Sequence, residues 1–264
     1  MTSKTITIEP IGGLGNRLRA IDSAIHLAEA SSRKLIVKWN IITECNIHLL
    51  ELFHTVDNID TVKGSLTDIG TKVKKKISAI TKSSSFIGQQ EIEQLGFNKK
   101  SIISRIEKIN HVHINTYSRF FDYSSPFQFF KPLPHLQNQI DKLINPKMIA
   151  VHIRRTDNRI SIENSSLDRF ISLMKKELSI QPNTTFFLAT DSPEDEHKIK
   201  SLFPDKIFSY KKRSLDRNNP LAIEDATIDL FTLATCTKII GSYWSSFSEL
   251  AAEINNIELI IAKS

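Results

Sequence analysis

Apolar residues at strand spacing alternate with stripes at helical spacing, and the second half of the chain shows this with the fewest interruptions. Residues 147–153 form a short apolar run of strand type, and Leu167, Phe170, Ile171, Met174 and Leu178 then recur on one helical face. A second strand is predicted at 184–190. Asp191-Ser192-Pro193-Glu194 follows it, with the polar cap and first-turn acids of a helix start. The alternation continues with a strand at 207–210, a helix through Ile223, Ala226, Leu230, Leu233 and Ala234, and a strand at 238–241. A helix at 246–254 and a strand at 257–262 complete it. Such a pattern predicts a parallel sheet with helices on its faces. Ligands of these sheets bind beyond the carboxyl ends of the strands, so residues just after each strand carry extra weight.

The first half opens in the same way. Residues 5–9 read as a strand, Leu18, Ile21, Ile25 and Ala28 as a buried helical stripe, and 35–39 as the next strand. Beyond that the periodicity blurs, and the basic run at 72–76 reads as a solvated surface. Pro126, Pro132, Pro134 and Pro146 cluster between the halves. The expected domains are therefore 1–140 and 141–264, each α/β in class.

Composition narrows the partners. The chain has 264 residues, 40% hydrophobic and 24% charged, with a formal net charge of +6. That allows a substantial core and suits an anionic partner such as a nucleotide diphosphate. The charge is scattered, with no aromatic-interleaved basic motif, which argues against a nucleic-acid binder. No secretory leader and no apolar run of membrane-spanning length are present, so a cytoplasmic protein is expected, with peripheral attachment at the inner membrane face compatible. Cys45 and Cys236 belong to no C-x-x-C pair and read as reduced, buried thiols.

Three segments carry candidate chemistry. The first is Gly12-Gly13-Leu14-Gly15-Asn16-Arg17, between a strand and a helix, where glycines let a ligand approach the backbone and helix N–H groups attract anions. A tight turn without a ligand would look the same. The second is His152-Ile153-Arg154-Arg155-Thr156-Asp157, in which two arginines follow a strand and can grip phosphate oxygens. An ion-paired strand end, with Asp157 neutralising an arginine, is the alternative. The third runs from Asp225 to Glu249. Asp229 sits in an apolar stretch and needs a partner, either a cation of the chain or the N–H donors of a guanine. Ser245 and Ser246 open a helix and suit either a cap or a phosphate.

In this order, VHIRRTD, FFLATDSPED and IDLFTLATCTKIIGSYWSSFSELA resemble the α1,6-, α1,2- and protein O-fucosyltransferases, most of all the α1,6 branch, over about residues 148–255. The Gly-Gly-Leu-Gly-Asn turn is similar to that of the α1,2 branch. The resemblance implies a GT-B-like α/β fold of two Rossmann-like halves with parallel sheets, the C-terminal half binding the donor. It also implies an inverting transfer of fucose from GDP-fucose without a metal or other cofactor. By position, Arg154 would bind the β-phosphate, and His152 and Asp229 would meet the guanosine. Ser245 and Ser246 would contact the diphosphate. Phe247, Arg155, Asp191 and the turn residues Gly13, Gly15, Asn16 and Arg17 join the donor set. Asp157 and Glu163 are the carboxylates for catalysis. Two departures stand out: Asn158 replaces a lysine of that branch, and Glu163 is displaced by one position from its proposed base. The chain contains no D-x-D, so Arg154 would take the cation's place at the diphosphate. The acceptor would be a glycan, a lipid-linked sugar or a protein. A protein of the same fold that binds a nucleotide sugar without transferring it, or one that uses another GDP-sugar, would carry the same donor motifs.

Overall fold

Strand β1 (Thr5–Pro10) shows how the first half is built. Its side chains alternate, with Ile6 and Ile8 fully buried and Thr5, Thr7 and Glu9 half-buried. β1 pairs in parallel with β2 (Lys34–Asn40), setting Ile6 beside Leu35 and Ile8 beside Val37. On its other side β5 (His111–Thr116) sets Val112 and Ile114 against the same two isoleucines. One face of the sheet is thus a continuous apolar surface, against which α1 (Leu14–Ala30) lays Leu18, Ile21 and Ile25. β3 (Ile59–Gly64) and β4 (Ser84–Gly88) complete the all-parallel order β3-β2-β1-β5-β4. Helices α2 (Gln89–Gln94) and α3 (Lys99–Ile106) lie between β4 and β5 in sequence.

The computed structural model describes residues 4–55, 59–64, 84–121, 127–156 and 158–264. The basic run at 72–76, Pro126 and Asp157 lie outside the described residues. The chain forms two compact units, Met1–Lys131 with Arg217–Pro220, and Pro132–Asp216 with Leu221–Ser264.

The second unit begins with α4 (Pro134–Leu143) and holds a second five-stranded, all-parallel sheet in the order β10-β9-β6-β7-β8. Its strands are β6 (Ile149–Ile153), β7 (Phe186–Thr190), β8 (Ile207–Phe208), β9 (Lys238–Gly241) and β10 (Glu258–Ile261). Every residue of β6 and β7 is buried, as expected of central strands covered on both faces. Helices α5 (Arg159–Asn164), α6 (Leu167–Ile180), α7 (Pro193–Leu202), α8 (Pro220–Leu233) and α9 (Ser246–Ile254) separate them. α6 contributes Phe170 and Met174 to a core shared with Val151, Ile153, Phe186, Leu188, Ile199 and Ile240. Ser192 caps α7 by accepting from Asp195 N at 3.2 Å, and three acids in the first turn complement the helix dipole.

Each unit holds one free, buried cysteine, Cys45 in the first and Cys236 in the second. Burial pushes their thiols up to about 11 and about 12. No helix of the described residues is long and apolar enough to cross a membrane.

Candidate functional site

In the second unit, the carboxyl ends of β6, β7 and β9 are tied together around Arg154. Its backbone N–H donates to Ser242 Oγ at 2.9 Å, and Ser242 N donates to His152 O at 3.1 Å, which joins the ends of β6 and β9. Its guanidinium lies 3.0 Å from Asp191, just past β7, and is mostly but not fully buried. Asp191 also accepts from Arg155 N at 2.7 Å, from Thr156 N at 3.2 Å and from Thr156 Oγ1 at 2.8 Å. That carboxylate therefore fixes residues 154–156 after β6, and Ser192, not Asp191, caps α7.

Arg155 is employed differently. Its Nε donates to Asp195 at 2.7 Å and its Nη1 to the Ser165 carbonyl at 2.6 Å, which engages the guanidinium with α7 and the α5–α6 junction. Of the adjacent pair, Arg154 faces the strand ends and Arg155 braces the elements behind them.

His152 is 5% exposed, shares a 2.7 Å hydrogen bond between Nδ1 and Ser248 Oγ, and lies 4.9 Å from the Phe247 ring. Burial, aided by the charges of Arg154 and Lys212, pushes its pKa down to about 3. The imidazole is therefore neutral at physiological pH and acts as a hydrogen-bonding group. Ser248 reaches it because β9 and α9 approach closely at Gly241, where an added Cβ would stand 2.6 Å from Ser248 Cβ. Ser245 occupies the cap position of α9 without making a side-chain cap bond, and Ser246 and Phe247 open the helix. Ser245 thus leaves the first N–H groups of α9 uncapped by its own side chain, an arrangement suited to an anion.

Asp229, on α8, is 5% exposed. One of its oxygens pairs with Lys212, and the other, Oδ1, is buried with no hydrogen-bond partner among the described residues. Burial lifts its pKa to about 6 against the lowering effect of Lys212. A cavity of about 440 Å³ opens beside Lys212, lined among others by Thr190 at the end of β7, Glu196 and Lys200 of α7, and Lys211. That volume suits a nucleoside-sized ligand. Asp229 stands out in the sequence and Lys212 does not, although the Lys-Lys-Arg run directly after a strand is a signal for it. Ser242 and Ser248 carry no such signal, because their value comes only from the crossing of two elements.

Glu163 is not in a loop. It is on the short helix α5, which Asn158 caps by accepting from Ser161 N at 3.1 Å. Its carboxylate accepts from Arg159 Nε at 2.6 Å on a face open to solvent. Asp157 lies outside the described residues. Among the described residues, no group of three or more His, Cys, Asp or Glu side chains is placed to hold a metal ion.

In the first unit, the glycine turn stands at the end of β1 and the start of α1. Gly12 has φ of +82°, the left-handed conformation that a side chain disfavours, and Gly13 is the helix cap. Asn16 packs against the turn, since a Cβ on Gly12 would meet its Nδ2 at 3.1 Å, and Gly15 is buried in α1. Arg17 is fully buried. It donates to Gly12 O at 2.7 Å and Asn40 O at 2.6 Å, with its guanidinium 4.6 Å from the Trp39 ring. The arginine thus holds the turn's shape from inside, whatever the turn's N–H groups bind.

No protein-family model matches the chain, and no curated protein sequence matches it. Solved structures do. The NodZ α1,6-fucosyltransferase soaked with GDP-fucose, an enzyme of Bradyrhizobium, superposes with a TM-score of 0.68 at 17% identity, covering 96% of this chain and 92% of that one. A variant of Arabidopsis thaliana FUT1 in complex with GDP gives 0.65 at 12% identity, covering 98% and 70%. POFUT1 in complex with GDP-fucose gives 0.59 at 12% identity, covering 99% and 98%. The chain therefore has the α/β fold of these GT-B fucosyltransferases, as the order of its motifs implied.

Proposed function

We propose that this chain is an inverting, metal-independent glycosyltransferase that moves fucose from GDP-fucose onto a hydroxyl of a glycan-type acceptor. The observation that carries the reading is Arg154. It is a guanidinium held at the carboxyl end of a central strand, tied by its backbone to the turn before the start of α9. Neighbours of the same fold were crystallised with GDP-fucose and GDP, and this is where a diphosphate fits such a sheet.

In the reaction, negative charge grows on the departing diphosphate while the sugar carbon becomes oxocarbenium-like. Arg154 and the N–H groups of α9 stabilise the leaving charge from fixed positions, which lowers the barrier electrostatically. Arg154 must exchange its contact with Asp191 for the phosphate, and Asp191 keeps the turn in place through its backbone donors. Neutral His152 offers a hydrogen bond without adding charge. The orphaned Oδ1 of Asp229 accepts from guanine, whose adjacent N–H donors match a carboxylate; uracil lacks that pair.

The test is calorimetry with GDP and UDP, followed by donor turnover in excess EDTA. GDP is expected to bind much more tightly than UDP, and its affinity to fall as the pH drops through about 6. The sign follows from Asp229, whose carboxyl is increasingly protonated below that value and then accepts poorly. Asp229→Asn should weaken GDP and flatten the pH dependence. Equal affinity for GDP and UDP would remove the guanine assignment. Activity lost to EDTA and restored by Mg²⁺ would overturn the role given to Arg154.

One observation favours a second reading, a protein that binds the nucleotide sugar without transferring it: Glu163 is solvent-exposed and paired with Arg159. GDP-fucose binding without turnover on any acceptor would support it.

A further inference from the structure

The turn between β9 and α9 displays an indole. Trp244 is 64% exposed, and its φ is +55°. That backbone region is unfavourable for a bulky side chain and persists only where surroundings impose it. Here they do. Asn158 Nδ2 donates to Trp244 O at 2.9 Å, Ser161 Oγ donates to Tyr243 O at 2.7 Å, and Ser165 Oγ accepts from Tyr243 N at 2.8 Å. All three grip the backbone, so the strained turn is fixed while the ring stays largely exposed beside the Tyr243 ring. α5, which supplies part of this grip, itself exposes Ile160 and Ile162.

The position of the turn gives the ring a use. In the sheet order β10-β9-β6-β7-β8, Arg154 directly follows the middle strand. The cavity and the Lys212–Asp229 pair lie on the β7–β8 side, and Trp244 ends the turn on the β9 side, directly before Ser245 and Ser246. With the nucleoside on the first side and the phosphates at Arg154, the second side is left for the transferred sugar and its acceptor.

Resting on the GDP-sugar reading above, we propose that Trp244 is the stacking platform for a pyranose ring of the acceptor. A pyranose with equatorial hydroxyls turns a flat face of axial C–H groups outward. That face packs on the electron-rich face of an indole, which costs little ordering because the turn is already fixed.

The chain has two tryptophans, and the other, Trp39, is fully buried with its Nε1 donating to Ile47 O. Ligand-dependent emission that disappears in Trp244→Ala therefore reports Trp244 and not Trp39, which lies against Arg17 of the glycine turn. Titration with cellotetraose and with its N-acetylglucosamine counterpart, without nucleotide, should shift the long-wavelength emission saturably, and Trp244→Ala should abolish the change. In transfer assays, Trp244→Ala should raise the acceptor KM about tenfold, with Trp244→Phe recovering most of it. The GDP dissociation constant, measured alongside, should not move. Emission silent to both saccharides overturns the proposal. So does emission that responds to GDP alone, which would assign the ring to the base, or only to phosphatidylglycerol vesicles, which would assign it to a membrane surface. The two readings fail separately. Tight GDP binding with silent saccharides removes the platform alone. A saccharide response with no GDP binding removes the donor reading and leaves Trp244 as a sugar site.

Discussion

Arg154 and Arg155 are neighbours in sequence with different work. Arg154→Ala should cost about 2–4 kcal/mol of transition-state stabilisation, seen as a fall in kcat/KM, because it removes a charge fixed where charge develops. Arg154→Lys should restore only part, since an ammonium cannot make the two parallel bonds. Arg155→Ala should instead lower the melting temperature, since it releases Asp195 and the Ser165 carbonyl. A wild-type rate for Arg154→Ala would make it structural too. Glu163→Gln, if Glu163 is the base, lowers kcat for transfer without changing GDP affinity, and general-base help is worth about 10²–10⁴-fold. An unaltered kcat on a true acceptor would leave Asp157 or a donor phosphate oxygen to take the proton. At this scale the sequence showed which residue types follow each strand. It did not show the division of labour between two adjacent arginines, because that depends on Asp191 and Asp195, more than thirty residues later. Nor did it show that Arg17 points inward, which follows from two carbonyls that only the turn and β2 bring together.

Among the elements, β9 and α9 match the sequence expectation residue for residue, because an apolar strand, a turn and a stripe at helical spacing coincide there. Their contact depends on one atom being absent. Gly241→Ala would place a Cβ 2.6 Å from Ser248 Cβ and 2.7 Å from its Oγ, so α9 must shift and Ser248 must leave His152. Overpacking of this kind costs roughly 1–3 kcal/mol, readable as a lower midpoint in chemical denaturation. An unchanged midpoint would show that the helix moves aside freely. α5 was not legible, because it is short and turns Ile160 and Ile162 outward, the reverse of the periodicity that marks a helix. β8 was expected to reach Tyr210 and ends at Phe208; an edge strand of two residues leaves little pattern. β5 does alternate, Val112 and Ile114 against His111, His113 and Asn115, but its half-buried polar face hid the strand.

For the whole molecule, the order of three motifs anticipated the fold better than any local periodicity did. The four-residue return of Arg217–Pro220 to the first unit has no mark in composition, and only long-range contacts define it. The paired burial of the two cysteines has a practical consequence. Each unit carries one thiol shielded from solvent and held in its unreactive protonated form, Cys45 at about 11 and Cys236 at about 12. An alkylating reagent at neutral pH can modify either only when the surrounding structure opens. Intact mass after a timed pulse in mild denaturant therefore counts open units molecule by molecule. A population carrying a single adduct, placed on Cys45 or Cys236 by peptide mapping, is expected if the units open one at a time. Passage straight from zero adducts to two would mean that the chain breathes as a single cooperative body.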